Sequence, residues 1–280
     1  MKLHTIDTGF FKLDGGAMHG VVPKSLWSKK NAADENNMCT WAMRCLLVED
    51  GDRLILIDNG IGTKQDAKFF SFYYLHGDAS LEKSLRAKGF DYSDITDVFL
   101  THLHFDHCGG SISKKDDRLF TTFPNATYWS NEAHWEWATK PNAREKASFL
   151  KENILPIQES GQLKFFKETD ELIPGFKAWF TYGHTGAMML PHIQYKGKTV
   201  VFLADLMPSS AHVPLPWIMA YDTQPLITLS EKEQFLPKAA AENYVLFFEH
   251  DGQHECATVA ATERGVVLQE TFSLEQYFGA

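Results

Sequence analysis

The feature that most constrains this chain is a short apolar strand followed at once by four potential metal ligands. The strand is Asp97–Thr101, and the segment after it reads His-Leu-His-Phe-Asp-His. Because side chains alternate along an extended segment, His102 and His104 point to the same side and can share one metal ion. Asp106 and His107 follow the turn, where they can reach a second ion. Imidazole nitrogen and carboxylate oxygen suit Zn²⁺ and similar metals, so the sequence predicts a metal site at the end of a buried strand.

Predicted strands alternate with predicted helices along the rest of the chain, an order that is typical of a layered α/β protein. Helical spacing between residues 120 and 170 predicts a helical insertion there. Residues 15–40 combine glycines, Pro23 and a polar run with scattered apolar side chains. They predict a long, ordered N-terminal loop that covers the substrate, and loops of this length inside compact domains are commonly functional.

Charge and length exclude several classes of protein. The chain has 280 residues, with 27 Lys and Arg against 36 Asp and Glu, and the difference gives a net charge of −9. This balance argues against a nucleic-acid-binding protein, because phosphate binding needs clustered cations. No apolar run approaches the ~20 residues that cross a bilayer, and we expect no secretory signal. Four scattered cysteines favour free thiols in a reducing compartment, so a cytoplasmic protein is expected.

The histidine motif is the signature of the metallo-β-lactamase superfamily, and the chain resembles that superfamily along most of its length. Four further elements occur in the expected order, each after a strand or in a glycine loop. They are Asp58 after LILI, His184 in YGHTG, Asp205 after VVFLA and His250 after VLFFE. The resemblance implies one α/β domain over residues 1–280, folded as a four-layer αββα sandwich with two metals at one edge.

The resemblance also implies a role for each of these residues. The implied metal ligands are His102, His104 and His184 for the first ion, Asp106, His107 and His250 for the second, and Asp205 as the bridge between them. A hydroxide held between two metals is a strong nucleophile at neutral pH. Asp106 would also exchange a proton at the leaving group, and Asp58 would orient a ligand loop. Zn²⁺ is the expected metal, and Mn²⁺, Fe²⁺ and Co²⁺ stay open because the same ligands accept them.

Within the superfamily, the chain is similar to the branch that contains acyl-homoserine-lactone lactonases, pyridoxolactonase and methyl parathion hydrolase. This similarity implies a binuclear hydrolase whose metal-bridging hydroxide attacks a lactone or carboxylic ester. Lactonases of the well-known type carry Tyr three residues after the bridging Asp, where this chain has Pro208. His212 and Tyr221 are the candidate catalytic residues that could replace this tyrosine as a hydrogen-bond donor.

Apolar side chains of the 15–40 loop are the candidate substrate contacts, because they would offer surface to an acyl chain or an aromatic ring. They are Met18, Val21, Val22 and Trp27. The alternative role for these residues is packing against the sheet.

Other functions stay open at this point. A phosphotriester hydrolase that acts on organophosphates, or a glyoxalase II-like thioesterase, would use the same ligands. A metal-containing ligand-binding protein with vestigial hydrolysis is an alternative of another class, since a fold alone does not fix a function. The expected partner is a small-molecule ester or lactone, with neither nucleic acid nor a membrane. The choice between monomer and homodimer is open.

Overall fold

The structure is a computed structural model that describes residues 1–279. The described chain forms two compact units. The first consists of residues 1–9 and 43–170, and the second consists of residues 10–42 and the described residues from 171 onward. The predicted ligands in the histidine motif therefore lie in the first unit, and the three later ones lie in the second.

Strands and short helices alternate along the chain. The strands are β1 (Lys2–Asp14), β2 (Met38–Asp50), β3 (Arg53–Ile57), β4 (Asp97–Phe99), β5 (Ile112–Lys115), β6 (Arg118–Thr121), β7 (Thr127–Ser130), β8 (Leu163–Phe165), β9 (Phe176–Thr181), β10 (Met188–Tyr195), β11 (Lys198–Phe202), β12 (Val245–Phe247), β13 (Cys256–Thr262) and β14 (Gly265–Phe272). The α-helices are α1 (Gly15–His19), α2 (Lys24–Trp27), α3 (Ala67–Ser71), α4 (Leu81–Ala87), α5 (Phe105–Cys108), α6 (Glu132–Thr139), α7 (Lys151–Glu159), α8 (Pro225–Ala241) and α9 (Leu274–Phe278). Among residues 1–279, no helix combines the length and the apolar character that a membrane span requires.

The first six-stranded sheet has the order β1–β2–β3–β4–β7–β8. Strands β3, β4, β7 and β8 pair in parallel, whereas β2 and β3 are antiparallel. Parallel strands are commonly buried on both faces, and the runs 55–57 and 98–100 are accordingly fully buried. Their side chains join a core that includes Leu56, Tyr128 and Ile154, so β3 and β4 form a rigid base for the residues that follow them.

The second six-stranded sheet has the order β14–β13–β12–β11–β10–β9. Its only parallel pair is β11 with β12, and its other neighbours are antiparallel. The longest helix, α8, contacts β13 and buries Phe235 and Ala239. The end of β11, residues 200–202, and all of β12 are fully buried, which fixes the positions where these strands end.

Predicted site residues follow the carboxyl ends of parallel strands in both sheets. Asp58 comes directly after β3, and His102 comes three residues after the end of β4. In the second sheet Asp205 follows β11 and His250 follows β12. Functional groups commonly lie at this end of parallel strands, because neighbouring strands all end at the same sheet edge.

The predicted long loop over residues 15–40 is partly regular, and its role in covering the substrate stays a prediction. The segment contains α1 and α2, an isolated bridge between Ala33 and Cys39, and the start of β2. The Asp14 carboxylate accepts a hydrogen bond from the Ala17 backbone N–H, 2.7 Å away, and caps α1. Met18 and Trp27 are only 1% and 2% exposed, so these two apolar residues of the segment are packed in the interior.

The predicted helical insertion over residues 120–170 is only partly helical. It contains α6 and α7, but also the end of β6 and strands β7 and β8 of the first sheet. Pro156 lies inside α7 and does not end that helix. It is the sixth residue of the helix, so it removes a single hydrogen bond to the carbonyl four residues earlier.

Candidate metal centre

The histidine motif begins in an extended segment after β4 and continues into the short helix α5. His102 is fully buried and His104 is 8% exposed. Nε2 of His102 lies 3.1 Å from Nδ1 of His104, so the two rings turn one nitrogen each toward the same point. This is the geometry expected from two side chains on one face of an extended segment, and it suits two ligands of one ion.

Asp58 ties this segment to the end of β3. Its carboxylate accepts hydrogen bonds from the backbone N–H of Thr101 at 2.8 Å and from the Thr101 hydroxyl at 2.6 Å. The same carboxylate lies 3.1 Å from Nδ1 of His107. Asp58 is fully buried and has a φ of +55°, a backbone conformation that Asp tolerates better than most residues. It therefore fixes one ring nitrogen of His107 and leaves the other available for a metal.

The Thr101 hydroxyl also lies 3.1 Å from Nδ1 of His102. Asp106, the third potential ligand of the motif, is 8% exposed. Its carboxylate lies 3.8 Å from Nε2 of His107. Partners that occupy the outer nitrogen of a ligating histidine set its orientation and its tautomer. The contacts of Thr101 and Asp58 do this for His102 and His107.

Two residues of the first unit that the sequence did not mark as functional support the motif. The Glu145 carboxylate lies 3.5 Å from Nε2 of His104, and it also accepts hydrogen bonds from Trp137 and Asn142. Nε2 of His134 accepts a hydrogen bond of 2.8 Å from the backbone N–H of Leu103. Both side chains come from the 120–170 region, and no local spacing in the sequence indicates that they reach the motif.

The second unit contributes a group centred on Asp205. The two carboxylate oxygens of Asp205 lie 3.1 Å from Nε2 of His184 and 3.3 Å from Nε2 of His250. The outer nitrogen of each ring has its own partner. Nδ1 of His184 lies 2.9 Å from Asp222, and Nδ1 of His250 lies 2.7 Å from the Ala42 carbonyl oxygen. One carboxylate thus faces two oriented imidazoles, which is the arrangement that a bridging ligand needs.

Helix α8 shapes the loop that carries His184. The backbone N–H groups of Tyr182 and Gly183 both donate to the carboxylate of Glu231 on α8. A Cβ at Gly183 would lie 2.2 Å from the hydroxyl oxygen of Thr228, so any larger residue would push the loop away from the helix. Glycine is required here because of this close approach.

The donor chemistry of these residues fits divalent metals. Groups of buried His, Asp and Glu side chains that could hold a metal ion are present among the described residues. Burying several ionisable groups side by side is costly unless they are paired or bind a metal. Zn²⁺ and related metals select nitrogen and carboxylate donors, and the imidazoles here have outer partners that orient them.

The structure places His212 in the interior of the second unit. It is 1% exposed, its Nδ1 lies 2.8 Å from the Ser209 hydroxyl, and its Nε2 lies 2.8 Å from the carbonyl oxygen of Met18. The ring stacks on His19 with centroids 4.9 Å apart. Because both nitrogens of His212 are engaged, this geometry does not support its predicted role as a donor to substrate. Tyr221 is 41% exposed, and its role stays a prediction.

The four predicted substrate contacts differ in exposure. Met18 is 1% exposed and Trp27 is 2% exposed. Trp27 stacks on His19 with centroids 5.3 Å apart, so the structure gives these two residues the alternative role of packing. Val21 is 94% exposed and Val22 is partly exposed, and their contact with substrate stays a prediction.

Comparison with known proteins gives consistent matches. The family model described as the metallo-beta-lactamase superfamily matches residues 44–250. An N-acyl homoserine lactonase of Bacillus cereus is 23% identical over 268 residues, which cover 91% of this chain and 94% of that protein. The crystal structure of a probable metal-dependent hydrolase from Staphylococcus aureus is 29% identical, with a TM-score of 0.87 and coverage of 97% of this chain and 98% of that one.

A further solved structure is that of AidC, a dizinc quorum-quenching lactonase in complex with a product. It is 24% identical to this chain, with a TM-score of 0.77 and coverage of 96% of this chain and 94% of that one. At this level of identity the similarity concerns the fold. Together with the family match, it confirms the predicted fold class, a single-domain α/β metallo-β-lactamase fold.

Proposed function

Since the chain belongs to the metallo-β-lactamase superfamily and is a metal-dependent hydrolase of that superfamily, we propose that it uses two metals to hydrolyse lactones or carboxylic esters. The observation that carries this proposal is the complete set of oriented nitrogen and carboxylate donors. The similarity to N-acyl homoserine lactonases along 91% of the chain supports the choice of substrate class.

We assign the metal ligands as the sequence predicts. The first ion would be held by His102, His104 and His184, the second by Asp106, His107 and His250, and Asp205 would serve both. Contacts within each unit support this assignment: Nε2 of His102 lies 3.1 Å from Nδ1 of His104 in the first unit, and Asp205 faces His184 and His250 in the second. Zn²⁺ is the first candidate, because these ligand types suit it best.

Two bound divalent metals would supply an activated water and a Lewis acid for the carbonyl oxygen of the substrate. The chain's own residues do the rest. Asp58, Asp222 and Glu145 hold imidazole rings in position. We assign proton transfer to the departing alkoxide oxygen to Asp106, and the 12% exposure of its side chain supports this role.

An aromatic cluster of the first unit supports a substrate with an acyl or aryl group. The Phe105 ring, next to Asp106 in the sequence, contacts Phe69 with centroids 5.4 Å apart and Tyr73 with centroids 4.7 Å apart. Burial, and to a smaller extent the charge of Asp106, raises the pKa of Tyr73 to about 12. Its hydroxyl stays protonated at neutral pH, so this aromatic cluster also carries a hydrogen-bond donor.

The proposal is tested by the substrate preference of the metal-loaded protein. Zinc-reconstituted protein is assayed with an N-acyl homoserine lactone, an aryl ester, a thioester and a phosphotriester. We expect the lactone or the aryl ester to give the highest kcat/KM, by at least tenfold. Excess chelator should abolish turnover, and one metal salt should restore it.

Two variants and three contrary outcomes complete the test. Asp205→Ala should lose turnover and at least one equivalent of metal, whereas His76→Ala, at an exposed position, should keep both. A phosphotriester or thioester as the best substrate would replace the proposed class by that one. Tight binding of the lactone with no turnover by fully loaded protein would identify a ligand-binding protein. The cytoplasmic location and the oligomeric state stay predictions.

A further inference from the structure

A fully buried lysine on α8 has a role that the metal chemistry does not explain. Lys232 is 0% exposed. Its ammonium group donates hydrogen bonds to the carbonyl oxygens of His212 at 2.7 Å, Pro214 at 3.0 Å and Trp217 at 2.8 Å. An ammonium carries three N–H donors, so the three carbonyls account for all of them. Lysine is rarely buried completely, and here its partners are backbone groups of a single segment.

That segment connects two carboxylates of the metal centre. It begins at Asp205, which faces His184 and His250, and it ends at Asp222, which holds Nδ1 of His184. Its only regular structure is a 3₁₀ turn over residues 210–212. The shape of the segment between the two carboxylates therefore depends on side chains that bind its backbone from outside.

We propose that Lys232 is a positioning residue, which holds the 205–222 segment so that Asp205 and Asp222 meet His184 in the geometry that binds metal. The inference rests on the proposed function for its link to turnover. The compact ammonium suits this task better than a guanidinium, because its three donors diverge from one atom toward three carbonyls. Burial lowers the pKa of Lys232 to about 7, while the charge of Asp222 acts in the opposite direction, which also links the lysine to this carboxylate.

The test compares Lys232→Met with Lys238→Met. Met keeps the length of the side chain and removes the donors, and Lys238 is exposed on the same helix. In Lys232→Met we expect backbone amides of residues 206–222 to exchange hydrogen at least tenfold faster, with β3 and β4 unchanged. Affinity for the more weakly held metal should fall at least tenfold, as measured by chelator competition. Lys238→Met should match the parent in both measurements.

Turnover gives a further readout that a loss of stability alone does not produce. For the best substrate, we expect kcat of Lys232→Met to fall at least tenfold while KM changes less than threefold. In Lys232→Ala, n-butylammonium should restore part of kcat, because it returns an ammonium donor to the three backbone carbonyls that Lys232 binds. The same amine should leave the parent and Lys238→Met unchanged.

Several outcomes would overturn the inference. Parental exchange and parental metal affinity in folded Lys232→Met would show that the segment keeps its shape without the lysine. If Lys232→Met does not fold, Lys232→Gln, which keeps two donors, must give intermediate exchange and intermediate metal affinity. Exchange that rises equally in β3 and β4 would indicate general destabilisation. Exchange and metal affinity need no substrate, so they test the inference even if the proposed hydrolysis fails.

Discussion

The stacked pair of histidines in the second unit makes a quantitative prediction about acid stability. His19 and His212 are buried with their rings nearly parallel, and Nε2 of His19 lies 3.1 Å from the amide oxygen of Asn31. Burial lowers the pKa of His19 to about 4 and that of His212 to about 3. Because the folded protein disfavours protonation, the stability due to the neutral rings is complete above pH 6.5. This contribution to stability falls as the pH drops from 6.5 toward the pKa values of the two histidines in the folded protein.

The magnitude follows from the gap between the unfolded and folded pKa values. For His19 the gap runs from 6.5 to about 4. One pKa unit corresponds to about 1.4 kcal/mol, so the full effect is about 3 kcal/mol. Between pH 7 and pH 5, about 2 kcal/mol of this is lost, because the unfolded chain takes up the proton and the folded chain does not. This loss is large against a total stability of roughly 5–15 kcal/mol.

The substitution His19→Phe isolates the contribution of His19 to the pH dependence of stability. Phe keeps a flat ring that can stack on His212 and Trp27, but it has no titratable nitrogen. Urea unfolding of metal-free protein at pH 7 and pH 5 gives the free energy of unfolding at each pH. We expect the loss between the two pH values to be about 2 kcal/mol smaller in His19→Phe than in the parent. Metal-free protein is used so that the loss of metal at low pH does not contribute to the unfolding free energy of the parent or of His19→Phe.

A matched control is His76→Phe, because His76 is an exposed histidine whose surroundings change little on unfolding. Its pH-dependent loss should equal that of the parent. An equal loss in His19→Phe and the parent would refute the reasoning, since it would mean that His19 gains no protons on unfolding at pH 5. The absolute stability of His19→Phe at pH 7 does not decide the question, because that variant also loses the contact with Asn31.

Three further predictions concern the metal centre and its surroundings. Asp222→Asn should lower metal affinity by about 10–100-fold, because it weakens the outer partner of His184; chelator competition measures this, and parental affinity would contradict it. His134→Ala should reduce the metal retained after dialysis, since the buried Leu103 N–H loses its acceptor; full retention by elemental analysis would argue against this support. Trp27→Ala should cost about 3–5 kcal/mol of unfolding free energy without changing the preference for acyl-chain length, and a changed preference would return Trp27 to the substrate site.

The strands and the ligand motif could be predicted from the sequence because both are local patterns. A run of apolar β-formers such as 97–101 indicates a buried strand wherever it occurs. Ligands that come directly after such strands are then brought to a sheet edge by the topology alone. His102 and His104 needed only the alternation of an extended segment to be placed side by side, and the structure places them so.

The surroundings of the ligands could not be predicted, because they are made by residues far away in the chain. Glu145 approaches His104 from forty-one positions later in the sequence, and it does so through a turn that has no recognisable pattern. His134 belongs to none of the ligand motifs, although it binds the backbone between two ligands. Only the packing of α6 and the turn after it brings these side chains to the motif.

The structure does not support a place for His212 beside the substrate, because nearness in sequence to Asp205 does not ensure nearness to the reaction. The segment after Asp205 turns inward, and contacts from two other regions hold it there. The Met18 carbonyl binds the His212 ring, and the Ala17 carbonyl accepts the Ala220 backbone N–H at 2.8 Å. These residues belong to the short block around α1, which the sequence had suggested as a substrate loop.

The same block explains why glycine is needed at position 20. Gly20 has a φ of +56°, and a Cβ there would lie 2.3 Å from the carbonyl oxygen of Ile218. The block therefore holds the 205–222 segment by close backbone contact on one side, while Lys232 binds its carbonyls from α8. A segment without regular structure can present Asp205 and Asp222 accurately only if its backbone is held in this way. In the second unit, the residues that position the metal ligands consequently lie far along the chain from the motifs that identify the family.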